Sequence, residues 1–261
     1  MKKATSKDGT TIAFDQSGKG SALILVGGAF QHRAIDPRTA QLATLLAPHF
    51  TVFHYDRRGR GDSSDTAPYA IEREVEDLDA LIHEAGGPAF VFGMSSGAVL
   101  ALEAVARGRA IRKLALYEPP FNLDGNAHAA AKNYTRQLAT LLAEGRRGDA
   151  VALAMTTFGA PAEAVAGMRQ TPVWSVFESV APTLAYDNAI MGDGSVPAER
   201  LASVAVPTLV IDGGASPEFM HNAAQAVANA LPNARCRTLA GQTHDVAPDI
   251  LAPVLIEFFK D

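Results

Sequence analysis

Two hydrophobic periods alternate along this chain, and that alternation constrains its fold more than any other feature. Short, continuous apolar runs fall at 23–26, 51–55, 89–92, 114–117 and 208–211, with a weaker one at 235–239. Between them lie longer helical patterns. Ile71, Val75, Leu78, Leu81 and Ile82 recur at three- to four-residue spacing, 95–107 is apolar nearly all round, and 217–231 and 249–260 complete the set. A strand that is apolar on both faces must be covered on both faces, so the pattern predicts parallel strands with helices on either side. Near the start, Asp8-Gly9-Thr10-Thr11 reads as a hairpin turn between two antiparallel edge strands. The rhythm breaks from Phe121 to Val196, where Leu138, Leu141 and Leu142 mark one helix and 151–158 another, with no convincing buried strand. The expected organisation is therefore one α/β core, residues 1–120 and 197–261, interrupted by a helical insertion at 121–196.

Composition narrows the function classes. At 261 residues, 48% apolar and 20% charged, the chain suits one large globular domain. A net charge of −5 argues against nucleic acid or an anionic membrane as partner. One cysteine, Cys236, excludes an internal disulfide and a thiolate metal cluster. Met1-Lys2-Lys3 is followed by polar residues rather than a leader's apolar core, and no apolar run could span a bilayer. The expectation is a cytoplasmic protein, monomeric or homodimeric, with a small-molecule partner and no metal or organic cofactor.

Gly93-Met94-Ser95-Ser96-Gly97 is the chain's one Gly-x-Ser-x-Gly. An apolar run leads straight in and a helical pattern leads straight out. That context is a sharp strand-to-helix turn with Ser95 at its tip, flanked by glycines because side chains there would collide across the turn. The N–H of Ser96 then lies at a helix N-terminus, where developing negative charge is favoured.

With these residues the chain resembles the α/β-hydrolase family over nearly its whole length. Leu23-Ile24-Leu25-Val26-Gly27-Gly28-Ala29 is similar to the family's strand and oxyanion loop, with Gly27 in place of the usual His. Tyr55-Asp56-Arg57-Arg58-Gly59-Arg60-Gly61-Asp62-Ser63 is similar to its Asp-x-Arg-Gly-x-Gly-x-Ser loop, and Gly241-Gln242-Thr243-His244 to its terminal histidine turn. The resemblance implies a mostly parallel eight-stranded sheet with helices on both faces. It also implies a cap between the sixth and seventh strands at 121–196, and oxyanion N–H donors at Ala29 and Ser96. His244 becomes the general base that serine chemistry requires.

The acid departs from the family pattern. The usual slot after the seventh strand holds Ser216, in Gly213-Gly214-Ala215-Ser216-Pro217. A neutral serine orients an imidazole without stabilising its cation as a carboxylate does. Glu118, directly after the sixth strand, is the leading candidate, because a branch of the family that includes the haloalkane dehalogenases takes its acid there. Asp212, at the tip of the seventh strand, is the alternative. Asp245 adjoins His244 in sequence and is poorly placed to hold its ring.

Other residues carry weaker expectations. Asp56, Arg57 and Arg58 read as packing and orienting the glycine-rich segments, and His32 as structural. Trp174 and Phe177 are candidates for a substrate entrance, Phe30 and Met94 for an apolar acyl pocket. The leading reading is a serine hydrolase of a carboxylic ester, lactone or thioester. The alternatives are a ligand-binding sensor, a cofactor-free haloperoxidase or a C–C hydrolase on the same fold.

Overall fold

The computed structural model describes residues 1–260. Eight strands form one sheet: β1 (Lys2–Thr5), β2 (Thr11–Ser17), β3 (Ala22–Val26), β4 (Thr51–Tyr55), β5 (Ala89–Met94), β6 (Ile111–Tyr117), β7 (Thr208–Gly213) and β8 (Ala234–Leu239). Their order is β1-β2-β4-β3-β5-β6-β7-β8. β1 pairs antiparallel with β2, and β2 with β4; every other pairing is parallel. The expected hairpin joins β1 to β2, closed by Ser6 N–H to Thr10 O (2.8 Å) and by Asp8 Oδ1 accepting from Thr10 N–H (3.0 Å).

The continuous apolar runs are explained by two cores. Leu23, Leu25, Ala115, Tyr117, Leu209 and Ile211 face one layer, with α1 (Pro37–Leu46) and α11 (Pro248–Lys260). Ile24, Val26, Leu114, Leu116 and Val210 face the other, with α2 (Ile71–Glu84), α3 (Ser96–Ala106) and α10 (Glu218–Ala230). Successive strand residues point to opposite faces, so both positions of the alternation must be apolar. Helix α3 is buried from Ser96 to Val105, as its all-round apolarity required.

Helix α1 escapes the periodicity reading because its buried stripe is only Leu42, Ala43 and Leu46. Its start nevertheless carries a local signal. Asp36 caps it by accepting the Thr39 N–H at 3.0 Å, and Pro37 opens it.

Between β6 and β7 the chain is helical: α4 (Ala127–Ala143), α5 (Arg147–Thr157), α6 (Ala162–Met168), α7 (Val173–Val180), a 3-10 turn, α8 (Leu184–Met191) and α9 (Ala198–Leu201). These helices enclose an apolar cluster of their own, including Leu138, Val151, Ala154, Trp174 and Leu184. Ala29 and Phe30, from the loop after β3, pack against it, which sets the cluster at the carboxyl end of the sheet. No helix among the described residues is long and apolar enough to cross a membrane.

Packing is tight where β5 turns into α3. A Cβ on Gly97 would stand 2.4 Å from Val26 O and 2.5 Å from Gly27 O. Backbone on both sides leaves no flexible group to yield. Gly97→Ala is expected to destabilise the fold by about 2–3 kcal/mol, the upper range for overpacking, read as a lower midpoint in urea unfolding.

Candidate active site

Ser95 stands at the β5–α3 junction with φ 55° and ψ −127°. Its N–H donates to Tyr117 O at 2.9 Å, tying the turn to the end of β6. The loop after β3 runs close alongside: a Cβ on Gly28 would lie 2.9 Å from Ser95 Cβ. Among the described residues, three non-glycine residues have left-handed φ, namely Phe30 (64°), Ser95 (55°) and Glu118 (45°). Each stands just beyond the carboxyl end of a strand, after β3, β5 and β6. Such a conformation costs on the order of 1–3 kcal/mol per residue and clusters where function requires a fixed geometry.

Glu118 and His244 come together. The Glu118 side chain is 0% exposed, and its Oε2 lies 2.7 Å from His244 Nδ1. Its Oε1 accepts the Gly213 N–H at 2.8 Å. Burial works to raise the Glu118 pKa. His244 and the Gly213 N–H outweigh it and hold the carboxyl below its ordinary value. Tyr117 Oη donates to Thr243 O at 2.6 Å and so fixes the loop that carries His244. Among the described residues Ser95 Oγ is not hydrogen-bonded to His244; the nitrogen that Glu118 takes is Nδ1, which leaves Nε2 free of it.

The alternative acid is placed elsewhere. Asp212 has the parity of Val210 and therefore faces the α10 layer. There it accepts from Thr238 Oγ1 at 2.9 Å and pairs with His221 Nδ1 on α10. Ser216, in the family's usual slot, is buried beside Glu118 and reaches no partner within hydrogen-bond geometry. Asp245 turns outward to Arg38, 3.0 Å away.

Of the two candidate oxyanion donors, Ser96 follows Ser95 in the turn, and Ala29 follows Gly28, which packs against Ser95. Neither the Ala29 N–H nor the Ser96 N–H donates to a backbone carbonyl among the described residues. The preceding Gly28 N–H is taken by Gln31 Oε1, and Gln31 Nε2 donates to Asp36 Oδ2 at 2.8 Å. The α1 cap thus also braces the loop, a role that sequence alone did not expose.

The arginine loop after β4 behaves as the sequence suggested. Arg57 Nη1 donates to Gly27 O at 3.3 Å, and Asp56 accepts the Arg33 N–H at 2.7 Å. Arg58 forks onto Asp77 at 2.7 Å from both Nε and Nη2. His32 is buried, and desolvation holds its pKa below the ordinary value. Phe30 packs edge-on against Phe177 (5.3 Å between centroids) and Phe158 (6.4 Å). Trp174 belongs to the helical segment's interior instead: it is 7% exposed, and its Nε1 donates to Glu178 Oε1 at 3.1 Å.

A family model described as the alpha/beta hydrolase family matches residues 23–253. The chain belongs to the alpha/beta hydrolase family. Among solved structures, an alpha/beta hydrolase from Sphaerobacter thermophilus DSM 20745 is 55% identical over 99% of this chain and 100% of that one, with a TM-score of 0.90. A thermophilic esterase from Thermogutta terrifontis shares the fold at 23% identity and TM-score 0.74, covering 99% of this chain and 97% of that one. An uncharacterized hydrolase, YraK, of Bacillus subtilis is 33% identical over 109 residues, spanning 38% of this chain and 37% of that protein.

In this alpha/beta hydrolase the second histidine–carboxylate couple has a measurable consequence. The bond to Asp212 raises the His221 pKa above its ordinary 6.5. A raised folded-state pKa adds stability that is fully present below the unfolded value and fades as pH rises through the folded one. The melting temperature of wild type relative to His221→Asn should therefore be higher at pH 5.5 than at pH 9. An equal difference at both would contradict the pairing.

Proposed function

We propose that the protein hydrolyses a carboxylic ester, lactone or thioester through an acyl-enzyme on Ser95. The observation that carries this reading is the bond between His244 Nδ1 and the fully buried Glu118, in a chain whose strand-to-helix turn presents Ser95. In this mechanism His244 Nε2 takes the Ser95 Oγ proton as Oγ attacks the acyl carbon. The carbonyl oxygen becomes an oxyanion and is received by the Ala29 and Ser96 N–H groups. Glu118 holds the imidazole in one tautomer and stabilises its cation. The C–O or C–S bond then breaks, and the leaving alkoxide or thiolate takes the proton from His244. Water, deprotonated by His244, attacks the acyl carbon, and collapse returns the proton to Ser95 as the acid leaves.

The 121–196 segment is assigned as the cap. Phe30, directly after one donor, meets Phe158 and Phe177 of the helices between β6 and β7, and together they supply an apolar wall for the substrate's hydrocarbon part. An electrically modest surface (net charge −5) suits a small acyl substrate better than a polyanion.

Ser95→Ala is expected to lower turnover of short p-nitrophenyl esters by on the order of 10⁶-fold, as loss of a nucleophile does. Glu118→Gln should lower kcat by about 10³- to 10⁴-fold, with Asp212→Asn close to wild type. Full activity in Ser95→Ala refutes the reading, and a large loss in Asp212→Asn alone refutes Glu118 as the acid.

A further inference from the structure

Asp187 is a buried carboxylate for which the proposed mechanism has no use. It lies on α8, in the helical segment between β6 and β7, and it is 3% exposed. Its Oδ1 accepts from Ser96 Oγ at 2.7 Å and from Arg57 Nη1 at 2.7 Å. Its Oδ2 accepts from Arg60 Nη2 at 2.6 Å. Arg57 also forks onto Glu74, at 2.8 and 2.9 Å, so two buried guanidiniums face two buried carboxylates. Removing one member leaves a buried charge without its partner.

What these arginines hold is the loop after β3. Arg60 Nη1 donates to Gly28 O at 2.5 Å, and Arg57 Nη1 reaches Gly27 O at 3.3 Å. The Gly28 carbonyl and the Ala29 N–H belong to one peptide plane. In a trans peptide the two point in opposite directions, so the guanidinium that fixes Gly28 O also fixes the direction of the Ala29 N–H. The other donor residue, Ser96, is gripped through its hydroxyl by the same carboxylate. Helix α8 is seated beside this cluster by Tyr186, which stacks on Tyr69 with ring centroids 3.9 Å apart.

We propose that Asp187 is a positioning residue for the oxyanion site: through Arg60 it orients the Ala29 N–H, and through Ser96 Oγ it orients the Ser96 N–H. One carboxylate on the segment between β6 and β7 thereby sets both donors, and their alignment depends on α8 being docked. The proposal rests on the hydrolytic reading above. It makes Asp187 act in the transition state, where the donors meet the oxyanion, rather than in substrate binding.

The test compares Asp187→Asn with Asp77→Asn. Asp77 also forms a buried pair, with Arg58, but touches neither donor segment. With p-nitrophenyl butyrate, Asp187→Asn should lower kcat about 10- to 100-fold, less than outright loss of an oxyanion donor. KM should stay within about threefold, and the inhibition constant of butylboronic acid, whose tetrahedral adduct needs the same donors, should rise in step with the fall in kcat/KM. Asp77→Asn should lose melting temperature yet keep kcat within about twofold. Should Asp187→Asn not fold, Ser96→Ala removes one hydroxyl only; a fall in kcat at unchanged KM supports the proposal. Equal kcat losses in Asp187→Asn and Asp77→Asn, a KM rise at constant kcat, or wild-type kcat in Ser96→Ala would each overturn it. These results are separable from failure of the hydrolytic reading, which would show as activity surviving Ser95→Ala.

Discussion

The loop after β3 and the turn after β5 approach so closely that no side chain fits between them. Gly28 lies against Ser95, and Gly97 against the carbonyls of Val26 and Gly27. This contact brings the backbone of two distant chain segments together beside Ser95. It also explains why the neighbouring conformations are strained. A residue at the tip of so sharp a turn has to take left-handed φ, and Ser95 does.

Closeness of backbone creates an electrostatic requirement. Carbonyls of the glycine-rich loop are turned inward, away from bulk water, and each needs a donor. Arg57 and Arg60 supply them, but a buried guanidinium needs its own counter-charge. Glu74 and Asp187 meet that need, with Ser96 bridging to Asp187. The arrangement adds polar links between the loop after β4, α2, α3 and α8. Burial works to raise the Asp187 pKa, and Arg60 and Arg57 overcome it, so the carboxyl is held below its ordinary value and stays charged at neutral pH.

Much of the architecture was legible in the residues. The continuous runs became β3 to β7 because a strand between two helical layers cannot afford a polar face. The weaker run at 235–239 became β8, a sheet edge whose middle residues Arg235, Cys236, Arg237 and Thr238 are exposed. Helix α1 was not legible from periodicity, since three buried positions make too narrow a stripe, although Asp36-Pro37 marked its start. The site was legible where its signals are local. Ser95 is set by its flanking glycines and His244 by its place after the last strand. Arg60 and Asp187 gave no such signal: their contact joins residues 127 apart in the chain.

Which carboxylate meets His244 is the clearest division between sequence and tertiary structure. By itself the sequence determined the parallel sheet, the strand-to-helix turn at Ser95, the helical stretch between the sixth and seventh strands, and a choice among Glu118, Asp212 and Ser216 for the partner of His244. All of these follow from short-range properties: periodicity, glycine placement and order along the chain. Only the tertiary structure decided among the three. Glu118, past the end of β6 in a left-handed conformation, is directed to His244, whereas Asp212 inherits the face of Val210 and is drawn to His221 on α10. The difference is one of strand parity and backbone direction, and these become definite only when the neighbouring strands and helices are in place.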